Sequence, residues 1–322
     1  MWEVGGKNED GGLKIEWVSI RFAILDHPSS ILKLPPTHPY LNYATGFGIT
    51  LIEEAVMTAE QIRSSFRRID RSRYPELDAY SQDEIYGNGD RMAPGGLYLA
   101  ARMTRSLNLK PGDIVLDLGS GRGDSSIFLA QHFGVKVVSV DLWISATERS
   151  KKFAEYRHDI MPLRLDAKKP LPFAEDYFDA IFCMQAFHSF GGSVPFLHHL
   201  LRHLKTGGRL AVGTTCFNEA VTRETLPDVY RYTDGWDAQY EKYHWPAWWK
   251  ALFVEAGLVA VIECRELEDG VILWEDDVLY GAEKVLWRET YFQKAKWLID
   301  HIVYGRDHRP YLTHFVAVVE KR

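Results

Sequence analysis

The chain reads as an α/β protein with a doubly wound sheet. Three observations predict this. Short apolar runs fit for buried strands alternate with helical stretches through most of the sequence. One such run enters a glycine-rich turn, VLDLGSGRGDSS, from Val115 to Ser126. An acid, Asp141, ends the next apolar run 20 residues after Gly121, which is the spacing of a nucleotide-binding strand pair.

The elements follow in order. GLYLAARMTRSLNL, from Gly96, carries a broad apolar face and reads as a helix. Pro111-Gly112 turns the chain into IVLDL, a run suited to a strand buried on both faces. Ser125 to Phe133 reads as helix, VKVVSVD as the second strand, Ala146 to Tyr156 as helix and MPLRLD as the third strand. DAIFCM gives a fourth strand, Val194 to Leu204 a helix and GGRLAVGTT a fifth strand. An irregular aromatic stretch runs from Thr222 to Trp245. WPAWWKALFVEAGL is then a helix with Pro246 near its start and Gly257 at its end. VAVIECREL is a strand, a largely helical insertion covers 276–309, and THFVAVVEKR is the last strand.

The first third is less regular. Residues 1–56 read as an accessory hairpin, a loose arm or a stretch ahead of a second start at Met57. Thr58 and Gln61 would form a capping box there. The helix so opened carries Arg63, Arg67, Arg68 and Arg71, a basic face expected to be solvated. The stretch 74–96 is loop-rich. The expected division is a 1–56 extension, helices and a covering loop over 57–108, and a core over 109–322. Deleting residues 1–56 is expected to leave cofactor binding intact, which calorimetry on the truncated protein checks.

Composition narrows the function. The 322 residues are 46% hydrophobic and carry a net charge of −6, which disfavours gripping a phosphate backbone. Cys183, Cys216 and Cys264 are scattered and form no metal-binding spacing. A reducing, cytoplasmic setting is expected, with no metal and no membrane span. Binding of arsenic or another thiophile by the three thiols is a minor alternative.

The glycine turn admits two ligand classes. Glycines remove the side chains that would hold a ligand off the backbone. A dinucleotide favours GxGxxG, whereas Gly119, Gly121 and Gly123 are spaced GxGxG, and Asp117 and Asp124 would repel a pyrophosphate. A cationic nucleoside without phosphate is attracted by the same acids.

Taken in order, VLDLGSGRG, VVSVDLW, RLDAKKPLPFAEDYFDAIFCMQAFHSF and LKTGGRLAVG resemble the motifs of class I S-adenosylmethionine-dependent methyltransferases, closest to the small-molecule, ubiquinone-biosynthesis-like group. The resemblance covers about Leu109 to Thr215, and the last strand fits it too. It implies a Rossmann-like sheet of seven mostly parallel strands with an antiparallel last strand, here with a helical and aromatic cap.

It also implies roles. Gly119, Ser120, Gly121 and Gly123 would lie against the methionine part of S-adenosylmethionine, and Asp117 would fix its amino group. Asp141 would hold the ribose hydroxyls, and Leu142 would pack on the adenine. Trp143 would either join Leu142 or belong to the core. Asp166 and Ala167 would meet the adenine amino edge, although an aspartate there also suits a turn cap. Gln185 would line the methyl-donor pocket. His188 is a candidate base, with a structural histidine as the other reading. Tyr86, with Gly95 and Gly96, would fold over the cofactor, and Tyr86, Tyr232, Trp236 and Trp245 are candidate acceptor-pocket residues. The implied activity is methyl transfer to a small-molecule acceptor by in-line displacement. The alternatives are an RNA or tRNA methyltransferase and a cofactor-binding protein without turnover. CMQAFHSF lacks the Asn/Asp-Pro-Pro-aromatic segment usual for attack on base amino groups. Acceptor, attacked atom and oligomeric state are not legible.

Overall fold

A computed structural model of the chain describes residues 2–7, 13–18, 66–89, 94–156, 159–219, 243–286 and 311–322. The chain divides into two compact units, Met1–Ser65 and Phe66–Arg322. In the first, β1 (Trp2–Lys7) and β2 (Leu13–Val18) form an antiparallel hairpin, one of the three readings of this stretch. The helix expected from Thr58 lies outside the described residues, as does Arg63.

The second unit is built on a seven-stranded sheet of order β5-β4-β3-β6-β7-β9-β8. Its strands are β3 (Ile114–Leu118), β4 (Lys136–Asp141), β5 (Ile160–Arg164), β6 (Phe178–Met184), β7 (Leu204–Phe217), β8 (Val259–Glu266) and β9 (Leu312–Lys321). Neighbours from β5 to β7 run parallel, and β9 lies antiparallel between β7 and β8. The apolar runs read as strands all enter this sheet. β7 is longer than its expected span, because Leu204 already pairs with Phe178 before a register shift.

The helices are α1 (Gln82–Ile85), α2 (Gly96–Thr104), α3 (Asp124–Phe133), α4 (Ala146–Ala154), α5 (Val194–Leu201), α6 (Pro246–Glu255) and α7 (Gly270–Leu286). Strand residues feed two cores in alternation, as the two-residue strand period requires. Val115 and Val137 join one core with Leu99, Met103, Phe128 and Val316. Leu116 and Val138 join the other with Leu200, Trp249, Phe253 and Phe315. Burial on both faces is why these strands are apolar throughout.

Two expectations change. The helix expected within 276–309 begins earlier, at Gly270, because the chain turns tightly after β8: Gly270 N–H donates to Leu267 O at 3.0 Å and Leu273 N–H to Asp269 O at 2.9 Å. The arginines ahead of Tyr74 are not simply solvated. Arg67 makes a two-pronged contact with Glu275 at 2.9 Å and Arg68 pairs with Asp276 at 3.1 Å. Both acids are buried on α7, and burying a carboxylate demands such a partner.

The strand order reverses between β3 and β6. From β3 the chain steps outward to β4 and β5, then returns to β6 and proceeds the other way. The carboxyl ends of β3, β4 and β6 therefore border the crevice where doubly wound sheets bind ligands. Among the described residues, no helix is long and apolar enough to cross a membrane.

Candidate cofactor and acceptor site

The turn after β3 is shaped by close approach. Gly119 has φ +74°, and a β-carbon there would lie 2.3 Å from Ala186 Cβ, in the loop that leaves β6. Gly123 has φ +87° and opens α3, and its β-carbon would strike the Phe153 ring at 2.4 Å. Both positions thus exclude a side chain on conformational and on steric grounds.

Asp141 ties the turn to β4. Its Oδ2 accepts from Gly121 N–H at 2.9 Å, and its Oδ1 accepts from Trp143 N–H at 2.7 Å and Ile144 N–H at 2.9 Å. A carboxylate has about four acceptor positions, so capacity remains for a ligand hydroxyl. Leu142 and Trp143 follow it, 47% and 69% exposed. Trp143 is therefore a surface residue beside the crevice and not part of the core.

Asp117 is buried at the end of β3. Its Oδ2 accepts from Ser125 Oγ at 2.7 Å and Ser126 Oγ at 2.6 Å, both on α3. Its Oδ1 is buried with no partner among the described residues. Burial pushes its carboxyl up to about 6, against the pull of the two serine hydroxyls and the Arg149 guanidinium. An anionic oxygen left dry and unpaired is costly, and a ligand ammonium is the kind of group that offsets it.

Beneath the turn sits Arg149, buried on α4. Its Nη1 donates to Ser120 Oγ at 2.9 Å, Ser139 O at 2.8 Å and Ser139 Oγ at 2.9 Å, and its Nη2 to Leu163 O at 2.8 Å. Ser120 thus turns its hydroxyl into the protein and offers the crevice backbone only. Sequence reasoning missed Arg149, Ser125, Ser126 and Ser139. The available signal was positional: Arg149 lies four residues before Phe153 on one helical face, and Ser139 interrupts the apolar strand VKVVSVD.

On the β5 side, Asp166 caps its own turn, with Oδ1 accepting from Lys168 N–H at 3.0 Å, while Ala167 is buried beside it. The turn-capping reading of Asp166 thus holds in this structure, next to the crevice.

After β6, Gln185 adopts φ +54°. Its Oε1 accepts from Thr215 N–H at 3.1 Å and its Nε2 donates to Pro94 O at 3.0 Å, so the amide orientation follows from partners that can only donate and only accept. Thr214 Oγ1 lies 3.2 Å from the same Oε1 and 2.7 Å from His188 Nδ1. A hydroxyl has one proton. It goes either to Gln185 or to His188, so the direction of the Thr214–His188 contact follows the imidazole tautomer. His188 is buried, with its ring 5.2 Å from that of Tyr243.

Other expected site residues fall differently. Tyr86 does not face an open pocket. Its ring stacks on Tyr280 at 4.7 Å, its hydroxyl donates to Asp276, and it is fully buried. Gly95 and Gly96 form the left-handed turn into α2, and Gln185 anchors this turn through Pro94. Trp245 precedes α6 and packs on Phe217 at 4.9 Å. Trp249 is wholly core, stacked on Phe315 at 5.8 Å. Tyr232 and Trp236 lie outside the described residues. Burial pushes the Cys183 and Cys216 thiols well up and that of Cys264 up to about 12. Protonated thiols are poor metal or arsenic ligands, and no metal-binding cluster occurs among the described residues.

Residues 115–208 match the family model of a methyltransferase domain. Phosphoethanolamine N-methyltransferase 1 of Arabidopsis thaliana is 23% identical over 160 residues, 50% of this chain and 32% of the plant protein. Demethylmenaquinone methyltransferase of Beutenbergia cavernae is 37% identical over 107 residues, covering 33% of this chain and 42% of that protein. The chain thus spans well under half the length of these curated relatives. Among solved structures, Haemonchus contortus phosphoethanolamine N-methyltransferase 2, in complex with phosphomonomethylethanolamine and S-adenosylhomocysteine, superposes with a TM-score of 0.62 at 16% identity. That superposition covers 83% of this chain and 61% of the nematode protein, and it shows the shared fold.

Proposed function

We propose that this chain, whose residues 115–208 match a methyltransferase domain, transfers a methyl group from S-adenosylmethionine to a small-molecule acceptor by in-line displacement. The observation that carries the reading is the pair of carboxylates at the switch point. Asp117 presents a buried, unpartnered oxygen, and Asp141 stands across the glycine turn from it. S-adenosylmethionine, when bound, supplies a methyl group already activated on a cationic sulfur.

The chain's own residues bind and orient. Asp117 Oδ1 accepts from the ligand's ammonium. Asp141 takes a ribose hydroxyl on its remaining acceptor capacity, a charge-assisted contact. Leu142, with Trp143, covers the adenine, and Asp166 and Ala167 meet its amino edge. Gly119, Gly121 and Gly123 expose backbone to the methionine part. Gln185 holds the Pro94–Gly96 turn over the site. Orientation and exclusion of water are the main contributions asked of such a protein.

His188 is the base of this reading. With Nδ1–H given to Thr214, the imidazole takes a proton from an acceptor that must lose one. His188→Ala is expected to lower kcat roughly 100-fold, the lower range for general-base loss. Its Kd for S-adenosylmethionine stays within about threefold, because no cofactor contact is removed. Unchanged turnover would return His188 to a structural role.

The deciding experiment is incubation of the full chain with methyl-labelled S-adenosylmethionine and a metabolite extract, followed by mass spectrometry. A labelled small molecule that disappears in His188→Ala and Asp141→Ala supports the reading. Calorimetric binding of the cofactor without any labelled product would leave a binding protein. Label found only in RNA would transfer the activity to nucleic acid.

A further inference from the structure

Nothing in the motifs assigns a role to Arg149. It is a buried guanidinium set between two acids, and it touches neither directly. The contacts that join it to Asp117 run through hydroxyls. Nη1 donates to Ser139 Oγ at 2.9 Å, Ser139 Oγ lies 2.9 Å from Ser126 Oγ, and Ser126 Oγ donates to Asp117 Oδ2 at 2.6 Å. A guanidinium only donates and a carboxylate only accepts, so with Ser126 donating to Asp117 the two hydroxyls align when Ser139 donates to Ser126 and not to Ser120 Oγ, which lies at the same 2.9 Å. Each then polarises the next in a medium of low dielectric.

We infer that Arg149 is a positioning residue that keeps Asp117 an anion for the cofactor's ammonium, acting through Ser139 and Ser126. This rests on the cofactor reading given above. With Arg149 counted, Asp117, Asp141 and Arg149 sum to one negative charge. S-adenosylmethionine with its ammonium protonated carries one net positive charge. Without Arg149 the buried Asp117 would take up a proton near neutral pH and lose its attraction for an ammonium. The groups facing Asp117 are Arg149 from α4, Asp141 from β4, Cys183 from β6, and Ser125 and Ser126 from α3. Of these, only Arg149 is cationic, and Asp141 opposes it.

The sign of the pH effect follows. Binding needs ionised Asp117, so affinity is full above its pKa and falls as pH drops through about 6. An upper limb, near pH about 8, belongs to the ligand's own amino group and is common to all variants.

The test is calorimetric titration of the full chain with S-adenosylmethionine from acid to mildly alkaline pH. In Arg149→Met the lower midpoint moves up by at least about one pH unit, and affinity at the wild-type midpoint falls about fivefold or more. Arg149→Lys, which keeps the charge, stays near the wild-type profile. Ser139→Ala interrupts the chain without removing charge and shifts the midpoint the same way by less, a loss of about threefold at the wild-type midpoint. In Asp117→Asn the lower limb disappears, and adding Arg149→Met does not restore it. A uniform loss at every pH in Arg149→Met, or no shift at all, overturns the inference and leaves Arg149 a scaffold residue. If Arg149→Met does not fold, an unmoved midpoint in Ser139→Ala overturns it. Failure of the wild type to bind at any pH instead overturns the cofactor reading.

Discussion

Asp141→Ala is expected to lower affinity for S-adenosylmethionine by roughly 100-fold or more while the sheet stays folded. A ribose hydroxyl on the one acceptor position left to this carboxylate is a charge-assisted hydrogen bond of about 1.5–3 kcal/mol, which accounts for most of such a loss. The structure adds a second reason. The same carboxylate holds the N–H groups of Gly121, Trp143 and Ile144. Alanine leaves three donors without their acceptor, so the glycine turn and the Leu142–Ile144 segment both loosen. Asp141→Asn keeps one acceptor oxygen and is expected to fall between wild type and alanine. Calorimetry measures both, and a Kd for Asp141→Ala within threefold of wild type would remove Asp141 from the site.

Gly119→Ala should be the most damaging single change for fold and binding together. Its backbone is at φ +74°, where a β-carbon costs about 1–2 kcal/mol. The new atom would stand 2.3 Å from Ala186 Cβ, far inside van der Waals contact, and relieving such overpacking typically costs about 1–3 kcal/mol. The combined effect, about 2–5 kcal/mol, should lower Tm by roughly 5–15 °C. The β3 and β6 loops can separate only by opening the crevice, so cofactor binding goes as well. Gly119→Ala combined with Ala186→Gly should recover the steric share but not the backbone share. A melting temperature for Gly119→Ala within one degree of wild type, with normal binding, would show that the two loops are not in contact.

Much of the fold is legible because its signals are local. IVLDL, VKVVSVD and DAIFCM are short apolar runs bounded by turn residues, and each becomes a strand buried on both faces. Asp141 is legible because the distance from a glycine turn to the end of the next parallel strand is set by one helix and one strand. Arg67 and Arg68 are exposed as a solvated face requires, but their ion pairs were not legible, for the opposite reason. A run of arginines looks like a solvated face until Glu275 and Asp276, some 200 positions away, are placed beneath it. Tyr86 looked like a lid residue, but its partners Tyr280 and Asp276 are equally remote. Arg149 was missed because its one mark, a place four residues before Phe153 on the same helical face, does not separate a buried cation from a solvated one.

By itself the sequence determined the alternation of strands and helices, the glycine turn and the acid that faces it, because strand burial, turn conformation and strand spacing depend on near neighbours. Tertiary structure alone decided which charges are dry and what answers them. It set Asp117 Oδ1 without a partner among the described residues, Arg149 behind it through two serines, and His188 Nδ1 against Thr214 Oγ1. Desolvation and hydrogen-bond direction depend on groups brought together from distant parts of the chain, and only the packed fold specifies them.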